Sequence, residues 1–356
     1  MGNPSYPPFT KGRQYPLFGK EGEGRFYDIC GLTFELLSKR VMENFAHYII
    51  RDYKTDDEKG ITTLFGEVFG KEMGIEHWRW KYLIPGKGRI YSKIAEDVSG
   101  KIIGHAGAIP LRGIFRGKPI QFFQIADVMV HAKARGFWGR KNAFNNLMKC
   151  LFEDLKKEFD DIFCYGFPGI RPYILGERVK VYERIEQAVV NAKRLSRSLL
   201  NPYRVQMIVF DDARLDDLWS GLSTDYPLSL IRDKSYLNWR YTTNPFLSYR
   251  LHGFFLLGKL SGWAVTRDSG DEVFVVDLLT ERKRCRSVLN ALQNYLISKR
   301  KKTIHIWLPE SWRKDLNGYS TSETEVVVTN MIWKLPFTTS IVKKNLYYTM
   351  GDVDIF

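Results

Sequence analysis

The chain of 356 residues reads as an α+β protein, of mixed α/β type, in which each half is a mixed, mostly antiparallel sheet flanked by helices. Three observations predict this. From His47 onward, short segments of strand type alternate with helical ones in the order β-α-α-β-β-β-α-β-α. A similar order returns after residue 201. Two short motifs also recur in the same sequence order: Trp80-Lys81-Tyr82 with Pro85 is echoed by Trp239-Arg240-Tyr241 with Pro245, and Asp127-Val128-Met129 by Asp277-Leu278-Leu279. Two echoes inside matching element orders point to a duplicated unit.

The elements follow from local pattern. Residues 1 to about 31 are rich in Pro, Gly and charge and read as extended or poorly ordered, and Thr33–Phe45 reads as an amphipathic helix, so residues 1–46 are expected to form an N-terminal extension with one helix. In residues 47–200 a strand at Tyr48–Ile50 precedes a helix that ends near Phe69. Thr55 and Glu58, three apart, suggest a capping box at its start. Gly74–Leu83 reads as a second helix carrying Trp78 and Trp80. Ile90–Glu96 and Ile102–Pro110 form a hairpin around Ser99-Gly100, and Gln121–His131 is a long strand. Arg140–Phe159 is a helix with Phe144, Leu147, Met148, Leu151, Phe152 and Leu155 on one side. Asp161–Phe167 is a buried strand, Pro172–Glu177 a short helix, and strand material follows near Val179–Val190.

In residues 201–356 the expected strands are Tyr203–Phe210, Tyr249–Leu257, Leu260–Thr266, Val273–Leu279, Thr303–Leu308 and Thr324–Trp333. The expected helices are Lys234–Tyr241 and Ser287–Lys299.

Composition narrows the function. Hydrophobic residues make up 44% and aromatic residues 14%, which supports a packed core and argues against disorder. The net charge of +14 favours anionic partners such as nucleic acid, acidic lipid or phosphorylated ligands. Cys30, Cys150, Cys164 and Cys285 form no CxxC pair and the six histidines no HxxxH pair, so neither a disulfide framework nor a metal site is expected, and a cytoplasmic location is. No apolar run approaches the length of a membrane span.

The most informative stretch is Asp127-Val-Met-Val-His-Ala-Lys-Ala-Arg-Gly-Phe-Trp-Gly-Arg-Lys141. A strand runs into a loop of glycine, arginine and lysine just before a helix. A pyrophosphate needs converging backbone N–H donors at a helix N-terminus, glycine for close approach, and basic side chains for charge-assisted bonds. A solvated basic turn is the alternative.

The strand Asp127–His131 and the loop from Arg135-Gly136 resemble the acyl-CoA-binding core of the GNAT acetyltransferase superfamily. So do IIRDYKTDDEKGI, HWRWKY, IIGHAGAIP and YGFP, which resemble a branch with tandem GNAT domains found with polysaccharide-biosynthesis functions. The resemblance spans about residues 47 to 356, with a good cofactor motif only in the first half. It implies that Val128, Met129 and Val130 contact the acetyl-pantetheine arm. It also implies that Arg135, Gly136, Phe137, Trp138, Gly139, Arg140 and Lys141 form the pyrophosphate loop of an acetyl-CoA-binding domain at 47–200. Trp138 and Arg140 stand where the family has glycine. The corresponding loop Thr280–Arg286 lacks glycine, so the half at 201–356 is expected to be degenerate and not to bind CoA.

Where many members carry a glutamate base on this strand, the sequence has Gln124. Asp127 is the nearest carboxylate and a candidate base or orienting group. A hydrogen-bonded structural aspartate is the alternative, and Asp277 at the echo position favours it. The family's acidic tyrosine position falls on Gly176, with Tyr173 and Tyr182 flanking it as candidate acids. His105 is a further candidate base, with a satisfied core histidine the favoured reading.

The expected function is therefore acetyl-CoA-dependent N-acetylation of a small amine, with an amino sugar among the candidate acceptors and no metal. Two alternatives stand beside it. One is a tRNA-dependent aminoacyltransferase of the peptidoglycan-bridge type, which suits the basic charge. The other is a non-catalytic degenerate binding module.

Overall fold

The computed structural model describes residues 47–84, 88–135, 142–199, 201–314, 316–331 and 337–353. The expected helix Thr33–Phe45 and the loop residues Gly136, Phe137, Trp138, Gly139, Arg140 and Lys141 lie outside them.

The strands are β1 (Tyr48–Asp52), β2 (Tyr91–Asp97), β3 (Ile102–Phe115), β4 (Lys118–Val130), β5 (Ile162–Gly166), β6 (Tyr182–Arg194) and β7 (Arg204–Ile208). They continue with β8 (Leu228–Leu230), β9 (Arg250–Leu256), β10 (Lys259–Ser269), β11 (Glu272–Thr280), β12 (Thr303–Ile306) and β13 (Ser320–Met331). The main helices are α1 (Asp57–Phe69), α2 (Ile75–Tyr82), α3 (Ala143–Glu158), α4 (Ile170–Arg178), α5 (Arg214–Leu222), α6 (Lys234–Leu237) and α7 (Cys285–Ser298). All strands join one sheet in the order β1-β2-β3-β4-β5-β13-β6-β12-β11-β10-β9-β7, with β8 on β3.

This order reads the same from either end. β1-β2-β3-β4 mirrors β7-β9-β10-β11, and in each arm one parallel pair, β4 with β5 or β11 with β12, interrupts antiparallel neighbours. At the centre β13, from late in the chain, lies between β5 and β6, while β6 pairs with both β13 and β12. The alternation in the sequence marks these strands but not this interleaving, because two antiparallel strands with similar faces can take either neighbour.

Both faces of the first arm are covered, so β3 is buried almost throughout, as its near-continuous apolar run requires. On one face α3 buries Phe144, Leu147, Met148, Leu151, Phe152 and Leu155 against Ile103, Phe123 and Ile125. Each such side chain contributes about 1.5–3 kcal/mol. On the other face α1 and α2 bury Ile61, Leu64, Trp78 and Tyr82 in a core that continues into the second arm. Gly107 is needed here: a Cβ at that position would lie 2.2 Å from the Tyr82 hydroxyl.

The echoed tryptophans join the arms. Trp80 and Trp239 stack with ring centroids 5.7 Å apart and planes at 19°. Each indole donates to the other's carbonyl, Trp80 Nε1 to Trp239 O at 3.0 Å and Trp239 Nε1 to Trp80 O at 3.2 Å. Neither indole is left with an orphaned donor.

Two local expectations need correction. There is no capping box at Thr55: α1 begins after Asp56, which is left-handed (φ 76°) and makes no side-chain cap. Asp57 instead accepts from the Lys54 amide at 2.7 Å and takes both terminal nitrogens of Arg51, a stronger charge-assisted set. The helix expected from Arg140 begins at Ala143, where the Asn142 side chain accepts from the Asn145 amide at 3.0 Å.

Candidate active site

β4 and β5 run parallel with Gln121–Ile125 opposite Ile162–Gly166. Beyond that point they part. β4 continues to Val130 against β3, while the end of β5 pairs with β13 and the chain turns through Phe167, Pro168 and Gly169 into α4. A wedge opens along the free side of β4. The parting coincides with a bulge, where the β3–β4 register shifts between His105 and Gly107 and Asp127 adopts a left-handed conformation (φ 49°).

The bulge decides which peptide groups face the wedge. His131 N bonds to Ile103 O, so its peptide edge belongs to β3. By antiparallel alternation the Val128 and Val130 peptide groups point the other way. Val130 O accepts from Arg135 Nε at 2.8 Å, which ties the start of the basic loop to this edge. His131 Nδ1 accepts from the Lys133 amide at 3.3 Å and caps the short turn Ala132–Ala134. Met129, by contrast, points into the core, where it is 1% exposed.

Asp127 is fully engaged. Lys81 Nζ lies 2.8 Å from Oδ1 and 2.7 Å from Oδ2, Tyr82 Oη donates to Oδ2 at 2.9 Å, and both ion-pair side chains are buried. His105 Nδ1 lies 2.7 Å from the Asp127 carbonyl and its Nε2 2.8 Å from Ser92 Oγ. With the carbonyl as acceptor, Nδ1 carries the proton and the serine hydroxyl donates to Nε2. Burial lowers the His105 pKa, as expected of a neutral, satisfied ring. Asp127 thus fixes the bulge, and neither of its oxygens is left to accept a proton from substrate.

The other sequence candidates separate. Tyr173, on α4, donates to the Glu177 carboxylate, and its pKa is pushed up to about 12, first by burial and then by that bond. Tyr182 is a core residue: its ring fills the space a side chain at Gly176 would need, since a Cβ there would lie 2.3 Å from it. Burial raises its pKa. Gln124 is buried on β4 beside Tyr165 of β5, on the same face of the sheet.

The second arm repeats the wedge and fills it. β11 and β12 part after Val275 and Ile306, and β11 continues to Thr280. Tyr347 Oη donates to Leu278 O at 2.6 Å. Tyr226 Oη donates to Thr280 O at 2.7 Å and accepts from Thr280 N at 2.8 Å. Leu278 and Thr280 are the echo positions of Val128 and Val130, so phenols bond the peptide edge that faces the wedge in the first arm. Trp312 stacks on Tyr226, with centroids 5.3 Å apart. Where the first arm has its basic loop, the Asp225 carboxylate accepts from the Arg282 amide at 3.0 Å. A carboxylate and two phenols thus bond this edge and the start of the loop in the second arm. Loss of glycine was the sequence signal; the filling side chains come from segments too distant in sequence to foresee.

Residues 49–184 match a family model described as an acetyltransferase (GNAT) domain. Solved structures share the fold over 80% of this chain. A probable N-acyltransferase from Enterococcus faecalis is 15% identical with a TM-score of 0.64 over 80% of this chain and 72% of that one. A GCN5-related N-acetyltransferase from Anabaena variabilis is 11% identical (TM-score 0.61, 80% and 73%). Saccharomyces cerevisiae N-myristoyltransferase with bound myristoyl-CoA is 10% identical (TM-score 0.53, 80% and 82%). No curated protein sequence matches the chain. Residues 49–184, the part matched by the acetyltransferase (GNAT) domain model, contain the wedge between β4 and β5, and the match supports an acyltransferase.

Proposed function

We propose that this acyltransferase uses acetyl-CoA to acetylate a small amine, with an amino sugar as one candidate acceptor, in the cytoplasm. The proposal includes two copies of one GNAT unit that have exchanged β6 and β13, of which only the first takes the co-substrate. The observation that carries it is the contrast between the wedges: in the first, the Val128 and Val130 peptide groups face a diverging β5, and in the second the matching edge is bonded by Tyr226 and Tyr347.

In this reading a peptide N–H of the Val128–Val130 edge stabilises the oxyanion, a role worth about 3–4 kcal/mol per donor in acyl transfer. Arg135, with Gly136 to Lys141, neutralises the pyrophosphate. Tyr173 protonates the departing thiolate by giving up its bond to Glu177, against the pull of a pKa raised to about 12.

Calorimetric titration with acetyl-CoA, CoA and myristoyl-CoA tests this. Micromolar acetyl-CoA binding that Arg135→Ala/Lys141→Ala abolishes is the expected result. Myristoyl-CoA binding far more tightly than acetyl-CoA would replace acetyl with a long acyl chain, and no binding of any of the three would refute the reading.

A further inference from the structure

The transfer needs a proton acceptor, and neither Gln124 nor the engaged Asp127 supplies one. The neighbour of Gln124 on the sheet is Tyr165, one residue before β5 leaves β13's partner position at Gly166 and turns away. Tyr165 is 1% exposed, and its hydroxyl has no hydrogen-bond partner among the described residues. The Tyr236 hydroxyl, from α6 of the other arm, is also buried without one. A buried polar group left unpaired costs about 1–3 kcal/mol, so each of these hydroxyls gains from a polar partner.

A carboxylate shares that region. The Arg232 guanidinium that bonds Asp352 lies 5.9 Å from the Tyr236 ring centroid, and the Tyr165 ring packs 5.7 Å from Phe167. Asp352 belongs to the closing segment, whose Tyr348 ring lies 6.0 Å from Phe167 at the mouth of the first wedge. Asp352 is 3% exposed and held on one side only. Arg232 Nη2, the Thr349 amide (2.8 Å) and Thr349 Oγ1 (3.2 Å) all bond to Oδ2, and Oδ1 makes no bond among the described residues.

We propose that Tyr165, Tyr236 and Asp352 receive the nucleophile of the acyl transfer, with the phenols holding it and Asp352 Oδ1 taking its proton. This rests on the acetyl-CoA reading above. The nucleophile forms a bond to the thioester carbonyl carbon, the C–S bond breaks, the proton lost by the nucleophile passes to Asp352, and the CoA thiolate takes a proton from Tyr173 or solvent. An amine gives an amide and free CoA; water gives acetate and free CoA. The charged and titratable groups around Asp352 are Arg232, Asp277 of β11, Tyr165 of β5, Tyr236 of α6 and Tyr348. Burial, only partly opposed by Arg232, brings Asp352 up to about 6, basic enough to accept a proton near neutrality.

Water as nucleophile makes the test independent of the acceptor. Thiol release from acetyl-CoA is followed from pH 5 to 9 in the full chain, Tyr165→Phe and Asp352→Asn, with acetyl-CoA binding measured calorimetrically in each. Expected are unchanged binding, a wild-type rate that rises through about pH 6, a drop of about 10-fold in Tyr165→Phe, and a drop of about 100-fold with a flat pH profile in Asp352→Asn. Should Asp352→Asn fail to fold, Tyr165→Phe decides. Variants that bind acetyl-CoA and release thiol like wild type would overturn the proposal, as would a wild type that binds it and releases none above background. A wild type that does not bind acetyl-CoA refutes the donor reading, and this proposal falls with it.

Discussion

Lys81→Met removes the cation from the ion pair that fixes the bulge of β4. The pair is 2.7 Å apart with both side chains almost wholly buried. At an effective dielectric of 20, charges at that separation attract by about 6 kcal/mol before desolvation is counted. Because Asp127 then remains buried with only Tyr82 to oppose its charge, we expect a net loss of about 3–5 kcal/mol. Lys81→Met/Asp127→Asn removes both charges and keeps a hydrogen-bonding partner for Tyr82, and should recover all but about 1–2 kcal/mol, since replacing a whole buried pair is often near neutral. Urea unfolding of wild type, both single variants and the double variant closes the cycle. A loss under about 1 kcal/mol in Lys81→Met, or a double variant no better than the worse single one, would show that the pair does not hold Asp127 as argued. Acetyl-CoA affinity should fall in Lys81→Met, because the Asp127 bulge directs the Val128 peptide group into the wedge.

Three further outcomes are expected. Tyr226→Phe breaks two buried hydrogen bonds to Thr280 and should cost about 1–3 kcal/mol while leaving acetyl-CoA binding unchanged; altered binding would mean the second wedge takes ligand after all. Asp352 is raised to about 6 from its ordinary 3.8, so its contribution to stability is fully present below pH 4 and is lost as pH rises through 6; Asp352→Asn should flatten that part of the stability–pH curve, and an unchanged slope would refute the assignment. For the Trp80–Trp239 pair, a double-alanine cycle should give a coupling energy of about 1 kcal/mol or more, and additive losses would mean the two rings do not act as a unit.

Local chemistry made much of this protein legible in its sequence. Short apolar segments of strand type marked β2 to β4, and the one-sided apolar stripe from Phe144 to Leu155 marked α3, because side-chain period follows directly from backbone geometry. The echoes proved physical: Tyr82 bonds Asp127 and Tyr241 bonds Asp277, each at 2.9 Å. What the sequence could not show depended on distant segments meeting. The interleaving of β13 between β5 and β6 rests on pairing among strands of similar pattern. The fate of Asp127 was decided by Lys81, and the filling of the second wedge by Tyr226 and Tyr347. Asp352 meets Arg232 only because the turn Met350–Asp352 folds back onto the second arm. Period and propensity act over a few residues, whereas which buried charge finds a partner, and which hydroxyl does not, is settled by packing between segments more than a hundred residues apart.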